Sequence, residues 1–181
     1  MVDHSLYRQR TEKLDKSAQK INTDVETDVL DGDNLRHGLN KDIGFSKDER
    51  KENIRRVAEV ANLFCDAGIL TICSFVSPYT EDRQYAKGLV DESEFVEVFV
   101  KCPLEVCLER DPKSMYKKAV SGKMKSFTGI DGPYEHPESP DITIESDRLN
   151  LTESVDRIIE HLDSKGIICT SPVADSLEIQ G

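Results

Sequence analysis

The run Ile69–Phe75, ILTICSF, constrains the fold of this chain more than any other stretch. It is continuously apolar and rich in β-branched residues, which is typical of a strand buried on both faces of a parallel sheet. A long helix is predicted just before it, because Ser46 and Glu49 form a capping box and apolar residues then recur at helical spacing. Gly68 ends that helix. The stretch therefore predicts a helix packed on a parallel sheet.

Shorter segments repeat this alternation of strands and helices along the chain. Strands are predicted at about Asp28–Asp31, Phe95–Val100 and Asp141–Glu145, and helices from Thr80, from Pro103 to Arg110, and from Val155 to Leu162. Strands that alternate with helices predict an α/β domain with a parallel sheet.

The length of 181 residues fits one domain with a buried core. We predict a polar N-terminal arm over residues 1–28, a domain over 29–165, and a tail or interdomain linker over 166–181. Residues 111–140 carry prolines and glycines among basic residues. A loop of this length inside a compact domain is usually a functional lid or a disordered insert.

Composition excludes several classes of function. With a net charge of −11 and 33% charged residues, the chain is unsuited to nonspecific binding of nucleic acid or anionic membranes. It has no apolar run long enough to span a bilayer and no signal-peptide pattern. The five cysteines form no CxxC pair, and the first four lie in apolar segments: Cys65, Cys73, Cys102 and Cys107. These four are expected to be reduced core residues, and the protein to be cytoplasmic.

Residues 31–56, DGDNLRHGLNKDIGFSKDERKENIRR, hold the candidate site. The side chains of interest there are Asp31, Asp33, Arg36, Phe45, Arg50 and Asn53. Two carboxylates can hold a metal, and the planar fork of arginine matches phosphate or sulfate oxygens. With an aromatic ring nearby, the pattern indicates a phosphorylated, ring-bearing ligand. The alternative is a turn followed by a solvated charged helix.

Topology favours the ligand site over that alternative. In parallel α/β sheets, ligands bind outside the carboxyl ends of the strands. The DGDN segment, the Ser77–Tyr79 segment and the start of the 111–140 loop all follow predicted strands. Three separate segments are therefore expected to converge on one edge of the sheet.

Several motifs resemble adenylylsulfate kinase, and most of all the kinase module of bifunctional 3′-phosphoadenylylsulfate synthases. They are DGDNLRHGLN, GFS, DERKENIRR, SFVSPYTEDR, RDPKSMYKKA and KSFTGID, in order from about Leu30 to Leu162. The resemblance implies a P-loop-kinase-like parallel sheet flanked by helices. It also implies transfer of the γ-phosphate of ATP, with Mg²⁺, to the 3′-hydroxyl of adenylylsulfate, giving 3′-phosphoadenylylsulfate in sulfate assimilation.

The resemblance also implies roles for the residues of the DGDN-to-ENIRR segment. Asp33 would contact or activate the 3′-hydroxyl, and Asp31 would act near magnesium. Arg36, Arg50 and Asn53 would bind the phosphosulfate and ribose of adenylylsulfate. These roles suit phosphoryl transfer, in which positioning and charge neutralisation dominate.

Further contacts implied by the resemblance lie outside that segment. Phe45 and Phe127 would sandwich the adenine, with Lys125 adding charge, although core packing is the alternative for both rings. Val76 and Ser77 would contact the substrate beside the reacting groups; in-line transfer requires no phosphoserine at Ser77. Arg110 would contact ATP. A homodimer is implied as well, and in a longer parent protein an ATP-sulfurylase domain.

One part of the family pattern is missing. The family begins with an apolar strand and a GxxxxGK[ST] phosphate loop about 25 residues before DGDN, whereas the only Gly-Lys pair here is Gly122-Lys123, which follows no predicted strand. Residues 1–29 contain no glycine and cannot form an amide cradle for phosphates.

The missing strand lies in the middle of the family's sheet. Its loss would leave the two neighbouring strands each with an unpaired backbone edge inside the sheet. Either the other strands close the gap, or the N-terminal arm fills it, or the chain is marginally stable. We expect a truncated or alternatively spliced kinase, or a faulty gene model, with doubtful activity. The alternative function is a catalytically inactive adenylylsulfate-binding or regulatory module.

Overall fold

The computed structural model describes residues 25–111, 114–123 and 127–169. Most of the predicted N-terminal arm and of the tail, and also Lys125, lie outside these residues. The described helices and strands alternate along the chain as follows: β1 (Thr27–Asp31), α1 (Gly32–Leu35), α2 (Lys47–Asp66), β2 (Leu70–Ser74), α3 (Thr80–Lys87), β3 (Val98–Lys101), α4 (Leu104–Arg110), α5 (Met115–Val120), β4 (Ile142–Glu145) and α6 (Leu151–Ser164).

All strand pairs in the described part of the chain are parallel, which confirms the predicted α/β class. Among residues 25–111, 114–123 and 127–169, the strands pair as two two-stranded sheets, β1 with β2 and β3 with β4. Asp31 pairs with Ser74 at the end of the first sheet, and Lys101 pairs with Glu145 at the end of the second. Within these residues the remaining strands therefore do not close the predicted gap.

The helix before β2 begins and ends as its sequence predicts. The Ser46 hydroxyl accepts the Glu49 N–H, and the Glu49 carboxylate accepts the Ser46 N–H at 2.9 Å, which completes the capping box. Gly68 follows the helix with φ +78°, a conformation that favours glycine. Local sequence alone therefore fixes α2 and the entry into β2.

Three details differ from the predictions. β2 is mostly half-buried rather than buried on both faces, because one of its edges faces a cleft. Thr80 was predicted as the N-cap of α3 but is the first residue of that helix. The N-cap of α3 is Tyr79, which makes no side-chain capping bond. The segment 111–140 is not uniformly irregular, since α5 forms within it; the carboxylate of Asp111 accepts the N–H groups of Tyr116 and Lys117 near the start of that helix.

Two clusters of buried apolar side chains form the core of the part of the chain that the structure describes. In the first, α6 packs on β4, with Val155, Ile158 and Leu162 against Ile142 and Ile144, while residues of β2 and β3 contact its margin. The second cluster joins α4 and α5 beneath the 111–140 segment. The first cluster therefore contacts strands of both sheets, and the second lies beside the carboxyl end of β3, from which one of the site loops leaves.

The cysteines only partly follow the prediction. Cys102 and Cys107 are buried as expected, Cys65 is half-buried, and Cys73 is exposed to the cleft. The prediction of a core position was wrong for Cys73, which lines the cleft instead. No helix within the described residues is long and apolar enough to cross a bilayer.

Candidate functional site

The DGDN turn begins at the carboxyl end of β1. Asp31 is buried and caps α1, and its Oδ1 accepts the N–H groups of Asp33 and Asn34, both at 3.0 Å. Asp33 is exposed on the same turn. One carboxylate therefore shapes the turn, and the second is presented at the surface beside it.

The glycine between these acids is required by close packing. A Cβ on Gly32 would lie 3.1 Å from the Phe75 ring and 3.3 Å from the Ser74 carbonyl oxygen. Both contacts come from the end of β2, which pairs with β1. The turn can therefore approach the neighbouring strand only without a side chain at this position.

Arg36, Phe45 and Arg50 form a stacked group beyond the turn. The Arg36 guanidinium lies 4.1 Å from the centroid of the Phe45 ring, and that of Arg50 lies 5.7 Å from it. Phe45 is 58% exposed, so part of its ring surface is open to a ligand. Two cations beside one exposed aromatic ring suit an anion that carries a flat base.

The same arginines also fix the loop that carries Phe45. Arg36 donates to the carbonyl oxygens of Ile43 at 2.7 Å and Gly44 at 3.2 Å, and the Nε of Arg50 donates to that of Phe45 at 3.1 Å. Burial lowers the pKa of both guanidinium groups below the ordinary value for arginine, although arginine remains charged at neutral pH. Two positive charges therefore lie beside the Phe45 ring in a chain of net charge −11.

A buried amide pair joins this loop to α2. Asn40 is fully buried, and its Nδ2 donates to Oδ1 of Asn53 at 3.1 Å. Arg56 adds an anchor, since it donates to the Leu39 carbonyl oxygen at 3.1 Å and pairs with Asp42 at 2.8 Å. Asn53 thus holds the loop in this structure, a positioning role that the sequence alone did not indicate.

Val76 and Ser77 follow β2 at the same edge. Both are half-buried, and Ser77 has φ 40°, a left-handed conformation that is unusual outside glycine. Its carbonyl oxygen accepts a hydrogen bond from Arg83 at 2.7 Å. This hydrogen bond from Arg83, in α3, therefore stabilises the strained backbone of Ser77.

Arg83 joins three segments around that serine. It donates to the Thr80 hydroxyl at 3.1 Å and to the Glu135 carbonyl oxygen at 2.9 Å. Its Nε also forms an ion pair with Oε1 of Glu97 at 3.0 Å. The Glu135 carboxylate in turn accepts the Thr80 N–H at 2.7 Å. Arg83 thereby ties the 111–140 segment to the loop after β2.

The structure places Phe127 in a different setting from Phe45. Its ring is 9% exposed and meets Tyr116 edge-on, with centroids 5.0 Å apart. No ring contact joins Phe127 to Phe45 among the described residues. The adenine sandwich therefore stays a prediction, and it would require Phe127 to leave its contact with Tyr116.

The remaining predicted contacts lie further from this group. Arg110 ends α4 and donates to the Ser146 carbonyl oxygen at 3.2 Å. Across residues 25–111, 114–123 and 127–169, no group of three or more His, Cys, Asp or Glu side chains could hold a metal ion. A metal at Asp31 would thus depend on oxygen ligands from a bound substrate.

Three residues of this network were not predicted as functional: Arg56, Arg83 and Glu135. Arg56 lies in the ENIRR motif and Arg83 in SPYTEDR, while Glu135 follows the last residue of KSFTGID, Asp131, by four positions. The signal was therefore present. Tertiary contacts decide which charged residue of each segment turns inward. The periodicity of the sequence does not predict that choice.

Comparison with known proteins identifies the family of this site. The family model for adenylylsulphate kinase matches residues 11–145. A probable adenylyl-sulfate kinase of Bacillus subtilis is 54% identical over 144 residues, covering 80% of this chain and 72% of the relative. An adenylyl-sulfate kinase of Clostridium acetobutylicum is 56% identical over 142 residues, covering 78% and 70%.

A solved structure agrees with these relatives. The Mycobacterium tuberculosis APS kinase CysC, in complex with AMPPNP and APS, superposes with a TM-score of 0.82 at 38% identity. The likeness covers 90% of this chain and 93% of that one. The chain therefore belongs to the adenylylsulphate kinase family, as its DGDN, SPY and FTGID motifs predicted.

Proposed function

We propose that this chain is an adenylyl-sulfate kinase that binds adenylylsulfate beside the DGDN turn. One observation carries the proposal: Arg36 and Arg50 lie on an exposed Phe45 ring, near the acidic turn at Asp33. Similarity to a kinase solved with AMPPNP and APS supports the same reading.

In the proposed complex the cations receive the phosphosulfate, and the ring supports the adenine. Arg36 and Arg50 match anionic oxygens because their donors form a planar fork. Asn53, Val76 and Ser77 complete the contacts to ribose and phosphosulfate, and Phe127 and Lys125 approach the base from the 111–140 segment. The loop anchors at Asn40 and Arg56 hold this arrangement before the ligand arrives, which lowers the entropy cost of binding.

The chemistry proposed is in-line phosphoryl transfer. The 3′-oxygen of adenylylsulfate forms a bond to the γ-phosphorus of ATP, the bond from that phosphorus to the β–γ bridging oxygen breaks, and ADP leaves. Asp33 accepts the proton of the 3′-hydroxyl, since its carboxylate is exposed on the turn. Asp31 keeps the turn in place through its two amide contacts.

Mg²⁺ fits this site only if bound substrate supplies some of its oxygen ligands. Asp31 has one carboxylate oxygen engaged with amides, and the described residues contain no three-ligand cluster. Mg²⁺ in nucleotide sites is usually held by one or two carboxylates together with phosphates and water. Asp31, with Asp33 beside it, would hold the ion, which would neutralise charge on the transferring phosphate.

The donor half of the site differs from the family pattern. No GxxxxGK[ST] loop occurs in the 181 residues, and Arg110 is the one contact proposed for ATP. We therefore expect turnover below that of a relative with the complete loop. We also propose a homodimer and a cytoplasmic location, and an ATP-sulfurylase domain in a longer parent protein, as the resemblance implies.

Two measurements on the purified chain test the proposal. Calorimetry with adenylylsulfate, and with AMP as the matched ligand lacking sulfate, should show tighter binding of adenylylsulfate. A coupled assay for ADP, with MgATP and adenylylsulfate, should show turnover that Asp33→Asn removes while adenylylsulfate binding persists. Failure to bind adenylylsulfate would sink the proposal, whereas binding without turnover would support the non-catalytic module instead.

A further inference from the structure

The carboxylate of Glu49 contacts the backbone on both sides of Phe45. Its Oε1 accepts the N–H of Gly44 at 3.1 Å, and its Oε2 accepts the N–H of Ser46 at 2.9 Å. The Ser46 hydroxyl also donates to Oε2 at 2.6 Å. One side chain of α2 therefore fixes the residue before the aromatic ring and the residue after it.

Helix capping does not account for the contact to Gly44. In a capping box the carboxylate of the third helical residue reaches back to the N–H of the N-cap, which is Ser46 in α2. Gly44 lies two residues before that N-cap, outside the helix. Its N–H engages the second carboxylate oxygen of Glu49, which capping leaves unused. Glu49 therefore holds the loop Gly44–Ser46 as well as capping α2.

Close packing at Gly44 supports the same conclusion. A Cβ at this position would lie 2.6 Å from each carboxylate oxygen of Glu49 and 2.8 Å from the carbon that joins them. These distances are shorter than van der Waals contact, so an added side chain would displace the carboxylate. The glycine therefore provides the space that the Glu49 carboxylate occupies.

The carbonyl groups of the loop are held by cations instead. Arg36 donates to two carbonyl oxygens at the start of the loop, and Arg50 donates to a third. The same guanidinium groups are proposed to receive the phosphosulfate. A guanidinium that turns towards a bound anion releases a loop carbonyl, whereas the Glu49 carboxylate is not attracted to an anion and keeps its two N–H groups.

We propose that Glu49 is a positioning residue of the adenylylsulfate site, which keeps the Phe45 ring in place for the adenine while Arg36 and Arg50 bind the anion. This inference rests on the proposed function, from which it takes the contacts to adenine and phosphosulfate. Glu49 acts through the loop and contacts neither the ligand nor the reacting atoms.

Charge alone predicts the opposite effect of Glu49 on affinity. Hydrogen bonds from Ser46 and Gly44 hold the pKa of this carboxyl below its ordinary value, so it is negative at neutral pH. Removing a negative charge beside an anion site should tighten binding if charge is all that matters. Removing a positioning residue should weaken binding, because the loop must then be ordered when the ligand arrives. The sign of the change therefore separates the two effects.

Calorimetry with adenylylsulfate measures that sign. We expect Glu49→Ala to raise the dissociation constant by about 3- to 10-fold, the scale of one or two exposed hydrogen bonds. Glu49→Gln should lie between this variant and the parent. Glutamine can complete a capping box, but its single amide oxygen cannot accept from both residues that flank the ring. Unchanged or tighter binding by Glu49→Ala would overturn the proposal.

Gly44→Ala tests the same contact from the loop side. Its methyl group should displace the Glu49 carboxylate and weaken adenylylsulfate binding by a similar factor. In the Glu49→Ala background the methyl group meets no carboxylate, so the double variant should bind about as well as Glu49→Ala. A full additional loss in the double variant would show that the two residues act separately, and would overturn the proposal.

Ser46→Ala is the matched control for helix capping. It removes the capping hydroxyl but keeps the N–H that Glu49 accepts. We expect it to lower the thermal unfolding midpoint, as the loss of an N-cap does, and to change the dissociation constant by less than about 2-fold. A loss of affinity equal to that of Glu49→Ala would assign the effect to the helix cap and overturn the proposal.

A fluorescent reporter follows the ring position directly. The chain contains no tryptophan, so Phe45→Trp introduces a single indole at a position that is 58% exposed and has room for it. Time-resolved anisotropy of the ligand-free chain then reports local motion at this position. The amplitude of the fast decay should rise when Glu49→Ala is added to this variant, and should not rise when Ser46→Ala is added.

The two measurements distinguish this inference from the proposed function. If the parent chain binds no adenylylsulfate, the proposed function is overturned even where indole motion depends on Glu49. If the parent binds adenylylsulfate but indole motion is the same with and without Glu49, the positioning role alone is overturned. Weaker binding together with greater indole motion in the Glu49→Ala variants supports both.

Discussion

The Arg36 guanidinium lies 4.1 Å above the Phe45 ring and also donates to two carbonyl oxygens of the loop that carries this ring. One side chain thus orients the aromatic surface and places positive charge against it. This coupling explains how an exposed phenylalanine can keep a fixed position in a polar loop.

Replacing Arg36 should therefore weaken adenylylsulfate binding. We expect Arg36→Ala to raise the dissociation constant by roughly 10- to 100-fold, the scale of a lost charge-assisted hydrogen bond. Arg36→Lys should recover only part of this, because an ammonium lacks the planar fork. Calorimetry measures both. Arg55→Ala is the control, since Arg55 pairs with Glu52 on the exposed side of α2; an equal loss there would show a nonspecific charge effect.

The buried amide pair should behave as one unit. Asn53→Ala leaves the Asn40 amide buried without its partner, which we expect to lower the free energy of unfolding by about 1–3 kcal/mol. Urea denaturation of Asn40→Ala, Asn53→Ala and the double variant measures their coupling. The double variant should cost less than the sum of the two single variants. Strict additivity would mean that the hydrogen bond contributes nothing.

Gly32→Ala should destabilise the DGDN turn. The new methyl group would meet the Phe75 ring at 3.1 Å, so we expect a loss of about 1–3 kcal/mol in thermal or urea unfolding. Gly38→Ala is the matched control, because nothing lies within 4 Å of its added Cβ, and it should stay within about 0.5 kcal/mol of the parent. Phe75→Leu should partly restore the Gly32→Ala variant. Equal stability of the two alanine variants would refute the close-packing argument.

Stability in acid should depend on Glu135. The Thr80 N–H holds the pKa of this carboxyl below its ordinary value of 4.5 in the folded chain. A depressed folded pKa gives a contribution that is present above 4.5 and is lost as the pH falls through the lower folded value. Unfolding midpoints of the parent and Glu135→Gln should differ at neutral pH and converge in acid. Equal unfolding midpoints of the parent and Glu135→Gln at neutral pH would refute the prediction.

The sequence predicted most of the local architecture. The Ser46–Glu49 box and Gly68 gave the limits of α2, and the run at Ile69 gave β2. The motif around Asp33 indicated the site and the family, because the DGDN turn and the residues that follow it lie in one continuous stretch of sequence. What it could not give was the partner of each side chain. Phe127 and Phe45 are both phenylalanines, yet Phe127 is buried against Tyr116 and Phe45 is exposed.

By itself, the sequence determined most of the segments that become strands and helices, with α5 as the exception, and the family they belong to, because capping, periodicity and contiguous motifs are local. Only the tertiary structure decided that the four strands of the described residues pair as two sheets with a cleft between them, and that Arg83 ties the loop after β2 to Glu135. Those outcomes depend on contacts between residues far apart in the chain, where packing and unmet backbone groups outweigh local preference.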